Sequence, residues 1–314
     1  MIDFTRFVER YEQFNASLLP SDNITESRIN DLYIRVYRPM AALDEVLIVY
    51  HGGGVNSDAG YDILARQLSS DLPVCVCLVD IRGHGRSVGV RGEASSPVQI
   101  WRDVDVVIDY VRTSFPDARI HLLGHSSGGG MLINYFTRYS LSRVVESLIL
   151  LAPALGPFSP PALNREFSSP FASINRLSFI INAMSAGFLC GRRAGVRLNF
   201  PCEVINARPD FVQTYSVNMA NALTPRNPER QLKEISIPVT IMLAEHDELF
   251  DVSRMEEFFR NCGNPNVSSR VVADSTHLDC IFELTDMVRE HFTGLTSRAQ
   301  YVSYVQRIRT TQLS

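Results

Sequence analysis

The stretch Ile120-His121-Leu122-Leu123-Gly124-His125-Ser126-Ser127-Gly128-Gly129-Gly130-Met131-Leu132-Ile133-Asn134-Tyr135-Phe136 decides how this chain folds. It opens on a strand-like apolar run, turns through Gly124-His125-Ser126-Ser127-Gly128, and continues at helical spacing. A strand that runs into a helix through Gly-x-Ser-x-Gly forces the central serine into a strained turn, and the glycines avoid clashes where helix and strand cross. The same pattern recurs at Gly85-Arg86-Ser87-Val88-Gly89, but there the preceding strand ends at Val79 and Gly89 and Gly92 follow in place of a helix. Ser126 is therefore the candidate nucleophile and Ser87 a loop serine. A helix starting at Ser127 brings its positive end and its first backbone N–H to the reaction centre.

Outward from this stretch, strand and helix signals alternate. Strand-like runs occupy 32–37, 46–50, 74–79, 119–123, 147–151, 239–243 and 268–272, and helical patterns occupy 61–70, 98–113, 127–139, 253–261 and 278–292. Short, fully apolar strands separated by helices predict an α/β class with a mainly parallel sheet covered on both faces. Residues 1–19 (Phe4, Phe7, Val8, Tyr11, Phe14, Leu18) predict an amphipathic helix docked on the body. Nine of the sixteen prolines fall between Pro153 and Pro228, where no strand is evident and Leu177, Ile180, Ile181, Met184 and Phe188 recur at helical spacing. This piece reads as a helical lid whose apolar face covers a site. The chain then divides into 1–152 (the first half of the core, with the N-terminal helix), 153–230 (the lid insertion) and 231–314 (the second half of the core, with a polar tail from Gly294).

Composition narrows the classes. With 314 residues and 45% of them apolar, the chain can bury a large core. Thirty basic against 34 acidic residues and no basic block argue against nucleic-acid binding. The N-terminus scatters charge where a signal peptide needs an apolar run, and no run of about 18 uncharged apolar residues occurs, so a cytoplasmic protein with no membrane span is expected. The six cysteines (75, 77, 190, 202, 262, 280) form neither a Cys-x-x-Cys pair nor a zinc pattern. A reducing compartment is expected, although a Cys190–Cys202 bridge is conceivable.

A serine hydroxyl needs a base, and the base an orienting carboxylate. Of seven histidines only 246, 277 and 291 follow the Gly-x-Ser-x-Gly turn. His291 lies in a helical pattern, ordinarily a solvated position, and His246 immediately precedes the acidic cluster. His277 lies in the loop after strand 268–272, at the end of the sheet where parallel folds place their chemistry. The acid comes from the loop after strand 239–243, where Glu245, Asp247 and Glu248 compete; Asp251 reads better as a helix cap. His51-Gly52-Gly53-Gly54 follows strand 46–50, where a main chain free of Cβ atoms can approach a developing oxyanion. Its donors would be the N–H groups of Gly53 (Gly54 as second choice) and Ser127.

Together with Asp80-Ile81-Arg82-Gly83-His84-Gly85-Arg86-Ser87, Ala244-Glu245-His246-Asp247 and Ser275-Thr276-His277, these motifs resemble the α/β-hydrolase superfamily, and the Asp-x-Arg-Gly-His-Gly-x-Ser run resembles its monoacylglycerol lipase and lysophospholipase branch. The resemblance runs from about 30 to 292 and is weakest over 153–228. It implies the α/β-hydrolase fold, Asp247 as the acid, Gly53 and Ser127 as oxyanion donors and the insertion as a cap. Ser127 stands where the branch often has Met, and the triple glycine resembles hormone-sensitive-lipase-like esterases, whose nucleophile usually follows Asp rather than His125. The expected function is a serine carboxylic-ester hydrolase of EC class 3.1.1, working through an acyl-enzyme without metal or cofactor on a monoacylglycerol, lysophospholipid or similar medium-chain ester, with peripheral lipid contact through the lid. A thioesterase or amide hydrolase uses the same machinery. A catalytically inactive ligand-binding homologue is the rival from outside the enzymes. Epoxide and haloalkane hydrolases of the fold carry Asp where Ser126 stands.

Overall fold

In a computed structural model of the chain, residues 2–18, 23–41, 43–139, 144–165 and 170–297 are described. The strands are β1 (Ile24–Ile29), β2 (Leu32–Tyr37), β3 (Glu45–Tyr50), β4 (Val74–Val79), β5 (Arg119–His125), β6 (Ser147–Leu151), β7 (Ala172–Ile174), β8 (Ala194–Leu198), β9 (Thr214–Ser216), β10 (Val239–Ala244) and β11 (Val267–Val272). Eight of them form one sheet in the order β1-β2-β4-β3-β5-β6-β10-β11. It is parallel from β4 to β11, with β1 and β2 antiparallel at one edge. The helices are α1 (Phe4–Ser17), α2 (Tyr61–Asp71), α3 (Pro97–Ser114), α4 (Ser127–Arg138), α5 (Arg176–Met184), α6 (Cys202–Ala207), α7 (Val217–Leu223), α8 (Pro228–Glu234) and α9 (Val252–Arg260), with residues 285–297 also helical.

Every residue of β3, β4 and β10 is buried, as a sheet covered on both faces requires. Alternation along each strand divides the core in two. Val46, Ile48 and Tyr50 of β3 face Trp101, Val104, Ile108, Met131 and Tyr135 of α3 and α4. Leu47 and Val49 face Ile63, Leu64 and Leu68 of α2 and Val288 of the last described helix. Each such aliphatic side chain contributes about 1.5–3 kcal/mol on burial. Helix α1 docks as its pattern predicts, with Phe7 stacked on Phe282 at 5.4 Å between ring centroids and Arg6 paired with buried Asp279 at 2.7 Å.

The structure corrects the sequence reading in several places. Segment 153–230 is not purely helical: β7, β8 and β9 form a three-stranded antiparallel sheet, too short to show an alternation. Most of the apolar face of α5 also lies open, with Ile181 half-buried. Leu177, Ile180 and Met184 are exposed, as is Phe188 beyond it, while the helix buries Ser178 and Asn182. Asn182 donates to the Gly187 and Leu189 carbonyls of the turn that follows α5 and accepts from Asn221 of α7. The pattern read as one helix over 278–292 begins with a 3-10 turn at Asp279–Phe282 and becomes helical again at 285. His291 is buried, not solvated: its ring bridges Ser147 Oγ and Thr240 Oγ1, each at 2.7 Å. β1 escaped notice because its polar sequence suits an exposed edge. All six cysteines are free thiols. Residues Tyr301, Tyr304 and Val305 of the tail lie outside the described residues. Among the described residues no helix is long and apolar enough to cross a membrane.

Candidate active site

The parallel register brings the C-terminal ends of β3, β5, β6 and β10 to one rim, with Tyr50 beside Gly124 and His125 beside Leu151. β5 then turns into α4 within one residue. Ser126 takes φ 51° and ψ −118°, an unfavourable backbone for a residue with a side chain. The turn is possible because a Cβ on Gly124 would lie 2.6 Å from Gly128 and one on Gly128 would lie 2.6 Å from the His51 carbonyl. Serine at a helix N-cap ordinarily bonds a backbone N–H of the first turn. Ser126 makes no such bond, and its Oγ stands 3.0 Å from His277 Nε2.

The histidine is held from several sides. Its Nδ1 lies 2.8 Å from Asp247 Oδ2, and the other Asp247 oxygen accepts from the Leu249 and Phe250 N–H groups at 2.8 and 3.0 Å. Of the three acids, Asp247 is the one whose carboxylate meets the His277 ring. Glu245 accepts from the Asp274 N–H, and Glu248 accepts the His277 backbone N–H at 2.8 Å without reaching the ring. Asp251 caps α9 through the Arg254 N–H, as expected. The His277 carbonyl accepts from His125 Nε2 at 2.9 Å and from the Cys280 thiol at 3.3 Å. Burial disfavours charge on the His277 ring, but Asp247, aided by Glu248, outweighs it, and the pKa is raised above its ordinary 6.5.

Asp247 and the histidine are almost fully buried, whereas Ser126 borders a cavity of about 430 Å³. Gly53 and Ser127 border the same space. Ser127 is the first residue of α4, so its N–H has no partner within the helix. Its hydroxyl is buried without a hydrogen bond and would lie 3.2 Å from a Cβ on Gly53. The cavity walls are mostly apolar, with Phe171, Ile174, Val196, Leu198 and Phe200 contributed by segment 153–230 and none by the apolar face of α5. Ser87, the other Gly-x-Ser-x-Gly serine, is buried in backbone bonds instead: its Oγ donates to the Asp80 carbonyl at 2.6 Å and accepts from the Tyr33 N–H at 2.8 Å. Glu248, read as a rival for the acid, instead holds the His277 backbone, and His125, which holds the His277 carbonyl, had been given no role in the sequence reading. His125 lies inside the motif, and that was its one available signal.

The family model for Hydrolase_4, described as serine aminopeptidase S33, matches residues 41–284. The chain is 26% identical over 227 residues to the monoglyceride lipase of Mus musculus, which covers 70% of this chain and 71% of that protein. It is 24% identical over 251 residues to the monoglyceride lipase homolog of Monkeypox virus, with 78% and 86% covered. Among solved structures, a soluble variant of monoglyceride lipase from Saccharomyces cerevisiae in complex with a substrate analog superposes with a TM-score of 0.60 at 16% identity, over 90% of this chain and 95% of that one. The chain belongs to the Hydrolase_4 (S33) family and is an α/β-hydrolase of its monoglyceride-lipase-like branch.

Proposed function

We propose that this protein is a serine hydrolase of carboxylic esters that works through an acyl-enzyme, with Ser126 as nucleophile, His277 as base and then acid, and Asp247 as the group that orients the imidazole. The observation that carries this reading is the unbroken chain Ser126 Oγ–His277 Nε2 at 3.0 Å and His277 Nδ1–Asp247 Oδ2 at 2.8 Å, opening on an apolar cavity. With Nδ1–H donated to Asp247, Nε2 is free to accept the serine proton. Ser126 Oγ then bonds to the ester carbonyl carbon, and the carbonyl oxygen becomes an oxyanion facing the Gly53 and Ser127 N–H groups. The tetrahedral intermediate expels the alcohol, which takes the proton from His277. Water, deprotonated by the same nitrogen, releases the acid and restores Ser126. Each oxyanion donor contributes about 3–4 kcal/mol to such a step.

Substrate class follows from the walls. A monoacylglycerol, lysophospholipid or similar medium-chain ester suits a pocket lined by Phe171, Ile174, Leu198 and Phe200, and monoglyceride lipases stand among the relatives. An aminopeptidase reading needs an acidic group for the substrate's ammonium, and no described residue lining the cavity is Asp or Glu. In this proposal segment 153–230 is the cap of the site, between the core segments 1–152 and 231–314, and its β7–β8 strands rather than α5 face the substrate. The test is a panel of esters of graded acyl length, with matched thioesters and p-nitroanilides, alongside fluorophosphonate labelling. Labelling at Ser126 and a preference for medium-chain esters are expected. Absence of labelling in the folded protein leaves the inactive ligand-binding homologue, and a preference for thioesters or anilides displaces the ester reading.

A further inference from the structure

The glycine loop after β3 is pinned amide by amide, and the pins come from three different regions of the molecule. The Gly52 N–H donates to Tyr61 Oη at 2.8 Å, the Gly52 carbonyl faces His51 Nδ1 at 2.8 Å, and the Gly54 N–H donates to Tyr215 Oη at 2.5 Å. A trans peptide points its C=O and N–H in opposite directions. Holding the Gly52 carbonyl on His51 therefore turns the Gly53 N–H the other way, and Gly53 borders the cavity. The peptides on either side are fixed by the two tyrosine hydroxyls.

Each tyrosine is itself oriented by a buried histidine. His125 Nε2 faces the His277 carbonyl, which can only accept, so its Nδ1 accepts the Tyr61 O–H at 2.6 Å. His84 Nδ1 faces the Arg82 carbonyl at 3.2 Å, so its Nε2 accepts the Tyr215 O–H at 2.9 Å. Burial lowers the pKa of both histidines to about 3, so both stay neutral and keep these directions at neutral pH. This gives His84, in the Asp80–Ser87 motif, a role that the catalytic chemistry leaves open.

Tyr61 belongs to the core, but Tyr215 lies on β9, in the segment proposed as the cap. That segment also grips Gly54 through its carbonyl, which accepts the Val212 N–H at 2.7 Å. Gly54 has φ +76°, and a Cβ there would lie 2.7 Å from Leu198, Phe200 and the Val212 carbonyl. The oxyanion loop is thus completed by the cap. We propose that Tyr215 is a positioning residue for the oxyanion hole, making a seated cap the condition for a correctly aimed Gly53 N–H. A phenylalanine fills the same space but cannot accept the Gly54 N–H, which would turn to find another partner and take the adjoining Gly53 backbone with it. The inference rests on the proposed function, since it presumes that Gly53 stabilises an oxyanion.

The test is Tyr215→Phe, beside wild type and Tyr135→Phe, a variant that removes a buried hydroxyl bonded to Asp105 away from the site. Tyr215→Phe should lower kcat about tenfold or more while KM stays within about twofold, since small displacements of a donor are felt in the transition state. Affinity for a trifluoromethyl ketone, which forms a tetrahedral adduct with the nucleophile, should fall by the same factor as kcat/KM. Affinity for an unreactive ether analogue of the ester should not change, and Tyr135→Phe should alter melting temperature without altering kcat. If Tyr215→Phe does not fold, His84→Ala carries the same readouts. A kcat within twofold of wild type, or equal loss of affinity for the ketone and the ether, would overturn the inference. Wild type that neither turns over esters nor labels at Ser126 overturns the proposed function and this inference together; normal wild-type behaviour with an unaffected variant overturns this inference alone.

Discussion

Two serine–histidine–carboxylate chains cross this sheet, one at each end of the strands. At the C-terminal rim Ser126, His277 and Asp247 are linked at 3.0 and 2.8 Å. At the N-terminal edge Ser147 Oγ lies 2.7 Å from His121 Nδ1, and His121 Nε2 lies 2.7 Å from Glu45 Oε2. By connectivity alone the second chain is the tighter one, so connectivity does not make a nucleophile. Ser147 sits in the regular backbone of β6, is fully buried, and shares its hydroxyl with a second histidine, His291. Ser126 has a strained backbone, one partner and a cavity beside it. The N-terminal chain joins β3, β5 and β6 to the helix at 285–297; the other leaves a hydroxyl where a substrate can reach it.

Replacing each serine gives the largest contrast. Ser126→Ala should reduce ester turnover by about 10⁴-fold or more, because removing the proposed nucleophile disables the whole assembly, with the melting temperature nearly unchanged. Ser147→Ala should do the reverse. It leaves two buried histidines each short of a partner, at about 1–3 kcal/mol of stability, and kcat should remain within about twofold. A catalytic collapse in Ser147→Ala would mean that the two ends of the sheet are coupled. The carboxylates should separate similarly by a smaller factor. Asp247→Asn should lower kcat by about 10²–10⁴-fold, since an amide no longer fixes Nδ1–H toward itself. Glu45→Gln should be read in unfolding rather than turnover, because Arg119 and His121 both lose a charged partner.

pH sharpens the same contrast, since one histidine from each end shifts in opposite directions. His277 is raised above 6.5 and, as the proposed base, must be neutral to accept the serine proton, so kcat/KM should fall with decreasing pH through a limb above 6.5. Asp247→Asn should move that limb downward. His291 is lowered to about 4, chiefly by burial with help from His121 and Arg270. Below 6.5 the unfolded chain therefore binds a proton that the folded chain refuses, and stability present above pH 6.5 should drain away between about 6.5 and 4. Denaturant unfolding across that window should show a shallower loss in His291→Gln. A slope identical to wild type would remove His291 from the account.

The local signals carried the rim and lost the far end. Gly124, Ser126 and Gly128 were readable because a strand-to-helix turn leaves few residues a choice, and His277 because the loop order left one histidine outside helices and acidic clusters. Residue types alone could not rank Asp247 against Glu245 and Glu248. In the structure Asp247 is the carboxylate turned toward His277, its other oxygen held by the Leu249 and Phe250 N–H groups. His291 was misread because helical periodicity gives a face but not its neighbour, and here the neighbour is a pair of strand hydroxyls. The apolar stripe of α5 failed similarly: periodicity marked its greasy side, while the residues the fold buries on this helix are Ser178 and Asn182. Tyr61 and Tyr215, 154 positions apart, left no trace because their common partner is a backbone loop.

The smallest effect is expected at Ser87, and it tests how motif and context should be weighed. Its five residues match the Gly-x-Ser-x-Gly pattern as well as those around Ser126 do, yet its hydroxyl spends both of its roles on backbone, donating to the Asp80 carbonyl and accepting from the Tyr33 N–H. That stitch ties the Asp80–Ser87 loop to β2, and Asp80 in turn accepts the Ser57 and Arg86 N–H groups. Ser87→Ala should therefore leave kcat and fluorophosphonate labelling within about twofold of wild type. It should also lower stability by about 1 kcal/mol, the net worth of a buried hydroxyl with good partners. Because the same loop carries His84, the acceptor of the Tyr215 hydroxyl, a drop in kcat without a change in labelling stoichiometry would show that the stitch keeps the proposed oxyanion loop aimed rather than merely closed. A drop in labelling stoichiometry itself would move the nucleophile to Ser87, and with it the meaning of every distance at the rim.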